Sequence, residues 1–230
     1  MPLLGPHAHD RTGVKAAARR LTQRAIARIY SALASGIYDR VVVGRTLRLL
    51  GGDLAGGVRE QGRRAAAVAA GRPVLDLPVG TGYFTLEWSD GHDGLVVGAD
   101  IAGGMVRRTA SRAAEAGAAN VVAVQADAHH LPFRSGSFGA IMCTNGLPVM
   151  PGPEAVLTEM RRALSPSGVL MACVIIAPLE SLLPRRAAAH LPALFRSQRG
   201  LEKAFETGGL EVTSVQTSRL ALLIEAKPEI

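Results

Sequence analysis

Three apolar segments, each closing on an aspartate and each followed by turn or helix signals, predict an α/β protein. Its sheet should be doubly wound and mostly parallel, with ligands at the carboxyl ends of the strands. The first segment, Val74-Leu75-Asp76, runs into the glycine-rich turn Leu77-Pro78-Val79-Gly80-Thr81-Gly82 and then a helix. The second, Gly94 to Ile101, holds Asp100 at its end. The third, Val121 to Ala128, is rich in β-branched residues and carries Asp127.

The remaining elements follow the same alternation. Phe138 to Asn145 reads as a fourth strand, and Pro153 to Leu164 has helical spacing, with Val156, Leu157, Met160 and Leu164 on one face. Ser165-Pro166-Ser167-Gly168 reads as the turn into a fifth strand, Val169 to Ile176, and the last two strands are placed at Leu210 to Thr217 and Arg219 to Lys227. Upstream, helices are expected over Val14 to Leu33, Asp39 to Leu50 and Val58 to Ala70, separated by Gly51-Gly52 and Gly56-Gly57. The chain is thus divided into a basic helical extension, 1–72, and an α/β domain, 73–230.

Charge separates the same two parts. Residues 1–72 hold 12 Arg and 1 Lys against 4 acidic residues, a net of +9, while the remainder has 13 basic and 15 acidic residues. On the first helix Leu21, Ala25, Ile29 and Leu33 can pack inward while Arg19, Arg20, Arg24 and Arg28 face water. A solvated basic face is the plain reading. Attraction to acidic substrates, peripheral contact with an anionic membrane, or nucleic acid are the functional ones. With aromatics at 4%, few platforms exist for stacking bases, and nucleic acid ranks last. The 23 Arg against 3 Lys, with abundant Ala and Gly, reflect coding bias more than selected Arg chemistry.

No apolar run of about eighteen residues occurs, so no membrane span is expected. The start of the chain lacks the apolar centre of a secretory signal, which points to a cytoplasmic protein with Cys143 and Cys173 as reduced core thiols. His7-Ala8-His9-Asp10 has no further residues at ligand spacing, and no metal site is expected.

The loop at Asp76 has the character of a nucleotide-cofactor loop, yet it lacks both G-x-G-x-x-G and the G-K-[ST] of a phosphate-gripping loop. Its pattern, acid-x-Pro-x-Gly-x-Gly, resembles motif I of the class I S-adenosylmethionine-dependent methyltransferases, normally acid-x-Gly-x-Gly-x-Gly. Asp100-Ile101-Ala102-Gly103-Gly104-Met105 is similar to the family's acid-x-Ser-x-x-Met, and Asp127-Ala128-His129-His130-Leu131-Pro132-Phe133 to its Asp-Ala-x-x-Leu-Pro-Phe. The match runs from about Val74 to Lys227 and looks closest to the small-molecule group that includes ubiquinone and menaquinone biosynthesis enzymes. The resemblance implies a Rossmann-like methyltransferase sheet of seven strands, the last antiparallel.

It also implies S-adenosylmethionine as cofactor, with S-adenosylhomocysteine as product. The cofactor carries a sulfonium and no phosphate, which accounts for a loop without lysine. By resemblance, Asp76 compensates nearby positive charge, and Gly80 and Gly82 let the backbone approach the ligand beside Pro78. Asp100 accepts from the ribose hydroxyls, Ile101 and Met105 flank the adenine, and Asp127 with the Ala128 N–H reads its edge. Asn145 closes the fourth strand beside the cofactor. Tyr38, in Tyr30 to Asp39, resembles a segment that lies over the cofactor as a lid.

The acceptor is expected to be small and hydrophobic or aromatic. Where many relatives have Leu-His-His-x-Pro-Asp-Pro, this chain has Leu147-Pro148-Val149-Met150-Pro151-Gly152-Pro153, an apolar wall of Leu147, Val149 and Met150. His129, His130 and His190 are the candidate general bases, although transfer from a sulfonium does not require one. Gly139 stands where relatives usually have Asp. Pro78, Gly139 and the missing histidine pair keep open an alternative: a methyltransferase-like protein, with or without the cofactor, that serves as a binding or non-methylating partner.

Overall fold

The computed structural model describes residues 54–175, 198–218 and 221–229. In chain order these form helix α1 (Leu54–Ala69), strand β1 (Val74–Asp76), the one-turn helix α2 (Thr85–Trp88), β2 (Val96–Asp100) and α3 (Gly103–Glu115). They continue as β3 (Val121–Gln125), β4 (Phe138–Thr144), α4 (Pro153–Ala163), β5 (Leu164–Ile175), α5 (Gln198–Thr207), β6 (Leu210–Ser218) and β7 (Ala221–Pro228). The expected helices before residue 54, with Tyr38, and the segment holding His190 lie outside the described residues.

The strands pair in one sheet with the order β3-β2-β1-β4-β5-β7-β6. β1 to β5 are parallel, and β7 runs antiparallel to both β5 and β6. The chain builds outward from β1 through β2 to β3 and then returns to place β4 on the other side of β1. That reversal leaves a crevice at the carboxyl ends of β1 and β4, where ligands of open α/β sheets bind.

Alternation along each strand decides which helix it meets. Leu75, Val97, Ile141 and Leu170 join a core with Val156, Leu157 and Met160 of α4 and Phe205 of α5. Val74, Val96, Met142 and Met171 face the other way, onto Ala65, Ala66 and Ala69 of α1 and Ala113 of α3. Both faces of the central strands are covered, so their sequences are continuously apolar.

Several boundaries differ from the sequence-based expectation. Gly56-Gly57 does not break the chain: α1 runs through both residues. A Cβ at Gly57 would lie 2.7 Å from Leu223 Cδ1, so this glycine marks a close crossing of α1 over β7 rather than a hinge. Ser165-Pro166-Ser167-Gly168 belongs to β5 instead of preceding it, as an irregular stretch between the pairs Phe138↔Leu164 and Ala140↔Val169. β3 stops at Gln125, two residues before Asp127, because the chain there turns into the short bridge Asp127↔His130. The basic face expected on the first helix, Arg19 to Arg28, lies outside the described residues, whereas arginines of α1 pair with acidic residues. Arg59 pairs with Glu87 at 2.5 Å and Arg64 with Glu225 at 2.6 Å, while the Arg63–Glu60 contact is well exposed and contributes little.

Gly139 has a packing reason. A Cβ there would lie 2.8 Å from the Ala69 Cα and 3.0 Å from the Ala69 carbonyl oxygen, so the end of α1 rests on bare β4 backbone. The Gly139 N–H donates to the Pro73 carbonyl at 2.9 Å. Gly139→Asp, which restores the residue usual in the resembled family, should therefore lower the unfolding free energy by about 2–3 kcal/mol through overpacking and burial of a charge. A denaturant titration of both proteins checks this.

Candidate active site

The carboxyl ends of β1, β2 and β4 open into one cavity. Its floor is the loop after β1. The Leu77 N–H donates to the Met142 carbonyl on β4 and the Val79 N–H to the Ala99 carbonyl on β2, both at 2.9 Å. The ladder thus uses residues 77 and 79 and asks for no donor from residue 78, which is why a proline is tolerated there. The Pro78 ring lies directly against Gly146, leaving no room for a side chain at that position. Gly80 and Gly82 have φ of +57° and +70°, the left-handed region that favours glycine. At Gly82 a Cβ would also press on Thr109 Cγ2 at 3.0 Å.

Asp100 ties this loop to the end of β2. Its Oδ2 accepts the Gly80 N–H at 3.0 Å and its Oδ1 the Ala102 N–H at 2.9 Å. Thr109 of α3 completes the clamp by donating its hydroxyl to the Gly80 carbonyl at 2.9 Å. Burial pushes the Asp100 carboxyl above the usual carboxylate range, against the pull of these N–H donors.

Asp76 is buried more deeply in chemical terms. Its Oδ2 accepts the Thr85 hydroxyl at 2.6 Å, and its Oδ1 has no hydrogen-bond partner. Burial raises its pKa to about 7, opposed by the Thr85 hydroxyl and aided by the charge of Asp100.

At the third strand end, burial by itself would raise the Asp127 pKa, but the backbone N–H and ring of His129 outweigh it and hold the carboxyl below its ordinary value. Asp127 Oδ1 accepts the His129 N–H at 3.0 Å and faces ring Nδ1 at 2.8 Å, while ring Nε2 faces the Pro151 carbonyl at 2.6 Å. Both ring nitrogens are engaged within the protein, so His129 clasps the Asp127 loop to the Pro151 loop and has no nitrogen to spare as a base. His130 is exposed and does not line the cavity. The following residues are pinned from α4: Glu159 accepts the Leu131 N–H at 2.8 Å, and Arg162 donates to the Phe133 carbonyl at 2.9 Å.

Of the residues singled out by motif, Asp76, Pro78, Gly80, Asp100, Ile101, Met105, Asp127, Ala128 and Asn145 all line the cavity, whereas Gly82 shapes the loop from behind. Asn145 has φ +52°, and its N–H donates to the Cys173 carbonyl at 2.7 Å. The expected apolar wall is partly corrected: Val149 and Met150 line the cavity, but Leu147 is fully buried in the core beneath. Sequence reasoning missed Leu54 and Val58 of α1, together with Phe84 and Ile175, which form the apolar end. No local pattern marks these residues, because three separate segments supply them.

Among the described residues lining the cavity there are three carboxylates and no Lys or Arg. Such a donor set suits a cationic ligand and opposes a phosphate. Comparison with known proteins agrees. Residues 74–168 match the family model described as a methyltransferase domain. The fold is shared with a S-adenosylmethionine-dependent methyltransferase from Aquifex aeolicus, at TM-score 0.62 and 17% identity, covering 79% of this chain and 96% of that one. Over residues 74–168 the chain resembles the class I S-adenosylmethionine-dependent methyltransferases, whose cofactor is S-adenosylmethionine.

Curated proteins that it resembles are named for ubiquinone or menaquinone biosynthesis. It is 35% identical over 162 residues to the demethylmenaquinone methyltransferase of Clavibacter sepedonicus, covering 70% of this chain and 62% of that protein. It is also 35% identical over 144 residues to the ubiquinone/menaquinone biosynthesis C-methyltransferase UbiE of Pseudomonas fluorescens (strain Pf0-1), covering 60% and 56%. The chain therefore spans less than two thirds of the length of these curated relatives. No helix among the described residues is long and apolar enough to cross a membrane.

The raised Asp76 pKa has a consequence for stability. Between the unfolded value, 3.8, and about 7 the folded state keeps a proton that the unfolded chain releases. Stability of the ligand-free protein should therefore fall as pH rises through that window. Asp76→Asn should match the wild type near pH 4 and exceed it by about 2–4 kcal/mol at pH 8. Chemical denaturation at both pH values measures the difference.

Proposed function

We propose that the protein transfers a methyl group from S-adenosylmethionine to a small, hydrophobic or aromatic acceptor of the quinone-related kind. The observation that carries this reading is the mixed lining of the cavity at the strand ends. Asp76, Asp100 and Asp127 line it, and so do Val149, Met150 and the apolar cluster of Leu54, Val58, Phe84 and Ile175. A cationic cofactor suits the carboxylates and an apolar acceptor the apolar cluster, so both reactants would meet within one cavity. The relatives' names, which specify ubiquinone/menaquinone biosynthesis, support a quinone-related acceptor.

The cofactor supplies a methyl group on a sulfonium, an intrinsically good leaving group. The chain's own residues bind and orient. Asp100 would accept from the ribose hydroxyls while still holding the Gly80 and Ala102 N–H groups. Asp127 and the Ala128 N–H would read the adenine edge, with Ile101 and Met105 against its faces. Asn145 would stand beside the cofactor at the end of β4, and Tyr38 would act in the lid. His129 is engaged at both nitrogens and His130 lies outside the cavity, so of the three candidate bases His190 alone stays open, and orientation of a nucleophilic acceptor supports transfer with or without it. Pro78 and Gly139, which left open a non-methylating partner protein, each have a packing explanation and do not favour loss of the cofactor site. The division into an extension, 1–72, and a cofactor domain, 73–230, is retained as a proposal in which α1 also contributes acceptor-wall residues. A cytoplasmic location remains part of the same proposal.

Calorimetry with S-adenosylmethionine and S-adenosylhomocysteine tests the cofactor part, and labelled-methyl transfer to a panel of quinone precursors tests the acceptor part. Asp100→Ala should weaken cofactor binding by about 2–3 kcal/mol, because charge-assisted bonds to the ligand and the clamp on Gly80 are lost together. Asp127→Ala should show a smaller loss. Analogues without the exocyclic amino group should bind wild type and this variant alike, and a variant that still discriminates them would place adenine elsewhere.

A further inference from the structure

The three carboxylates of the cavity are satisfied to different degrees. Asp127 has the His129 ring and N–H, and Asp100 has N–H donors on both oxygens. Asp76 has the Thr85 hydroxyl on one oxygen, and its other oxygen, shielded from solvent, meets no donor. Among the described residues, the groups bearing on Asp76 are Thr85 of α2, Asp100 at the end of β2 and the thiol of Cys143 on β4, while the Cys173 thiol of β5 lines the same cavity. Burial holds both thiols at about 12, so they stay neutral. Among the described residues, the charge bearing on Asp76 is therefore another carboxylate, Asp100. A buried anion in that setting lacks a counter-charge, which a ligand can bring or a proton can replace.

We propose that Asp76 reads the charge of the cofactor: it faces a cationic ligand as a carboxylate and holds a proton when the cavity contains no cation. Cofactor capture then expels one proton from the protein, and the neutral thioether product is held with less dependence on pH. This rests on the S-adenosylmethionine reading above. The proton is held up to about pH 7 in the free protein. Below that point each step down in pH makes deprotonation, and hence binding of the cation, harder. Asp100 is the other carboxylate able to contribute, but its two N–H donors favour its charged form.

Calorimetry on the full chain between pH 5 and 7.5, in buffers of different ionisation enthalpy, separates ligand binding from proton release. S-adenosylmethionine affinity should fall about fivefold from pH 7 to 6 and about tenfold from 6 to 5, with close to one proton released per ligand at pH 6. S-adenosylhomocysteine should change by less than about twofold over each step. Asp76→Asn, which keeps an acceptor for Thr85, should flatten the S-adenosylmethionine profile and abolish the proton release. Thr85→Val, which removes the hydroxyl that stabilises the carboxylate, should move the fall to higher pH. A flat wild-type profile, equal slopes for the two ligands, or a slope retained in Asp76→Asn would overturn the linkage while leaving the cofactor reading intact. No binding of S-adenosylmethionine at any pH would overturn the cofactor reading, and the linkage with it.

Discussion

The bond from the Gly80 N–H to the Asp100 carboxylate is the joint on which the cavity depends. It spans β1 and β2 at their carboxyl ends, and the same carboxylate accepts the Ala102 N–H that begins the approach to α3. One side chain thus sets the height of the glycine loop, the end of β2 and the start of the next helix together. Thr109 of α3 returns to the Gly80 carbonyl and closes the arrangement. Because the bonds are charge-assisted and largely hidden from water, they hold a loop that two left-handed glycines would otherwise leave with wide conformational freedom.

The cost of that arrangement is borne at Asp76. A second carboxylate sits close to Asp100 in the same cavity with one oxygen unsatisfied, so the ligand-free protein carries an electrostatic conflict at neutral pH. Such sites are common where function requires a group that the folded chain by itself does not satisfy. A cation resolves the conflict. The described lining holds no Lys or Arg to do so in its place.

The helix preceding the glycine loop matters more than a cover would. α1 lies on the sheet close enough that Gly57, Gly62 and Gly139 are all contact points where a Cβ would collide with Leu223, Trp88 or the Ala69 backbone. Its first turn then reaches the apolar end of the cavity with Leu54 and Val58. Glycines that look like hinges along the chain can therefore be points of closest approach, since both uses select for a missing side chain.

The sequence by itself determined the α/β class, the parallel strands and the three strand-end carboxylates. Burial on both faces forces continuous apolar runs, and the turn from strand to loop demands glycine at Gly80 and Gly82, so these features leave a local record. The apolar end of the cavity left none, because Leu54 and Val58 of α1, Phe84 and Ile175 come from three separate segments and each reads locally as ordinary core. His129 shows the same limit. Its position beside Asp127 was legible, but only the approach of Pro151 from another loop engages its second nitrogen and removes it from the candidate bases. Gly139 and the passage of α1 through Gly56-Gly57 were likewise settled by contacts between elements far apart in the chain. Strand character and turn chemistry are set by neighbours in sequence, whereas a wall, a clasp or a close crossing exists only once distant segments have been packed together.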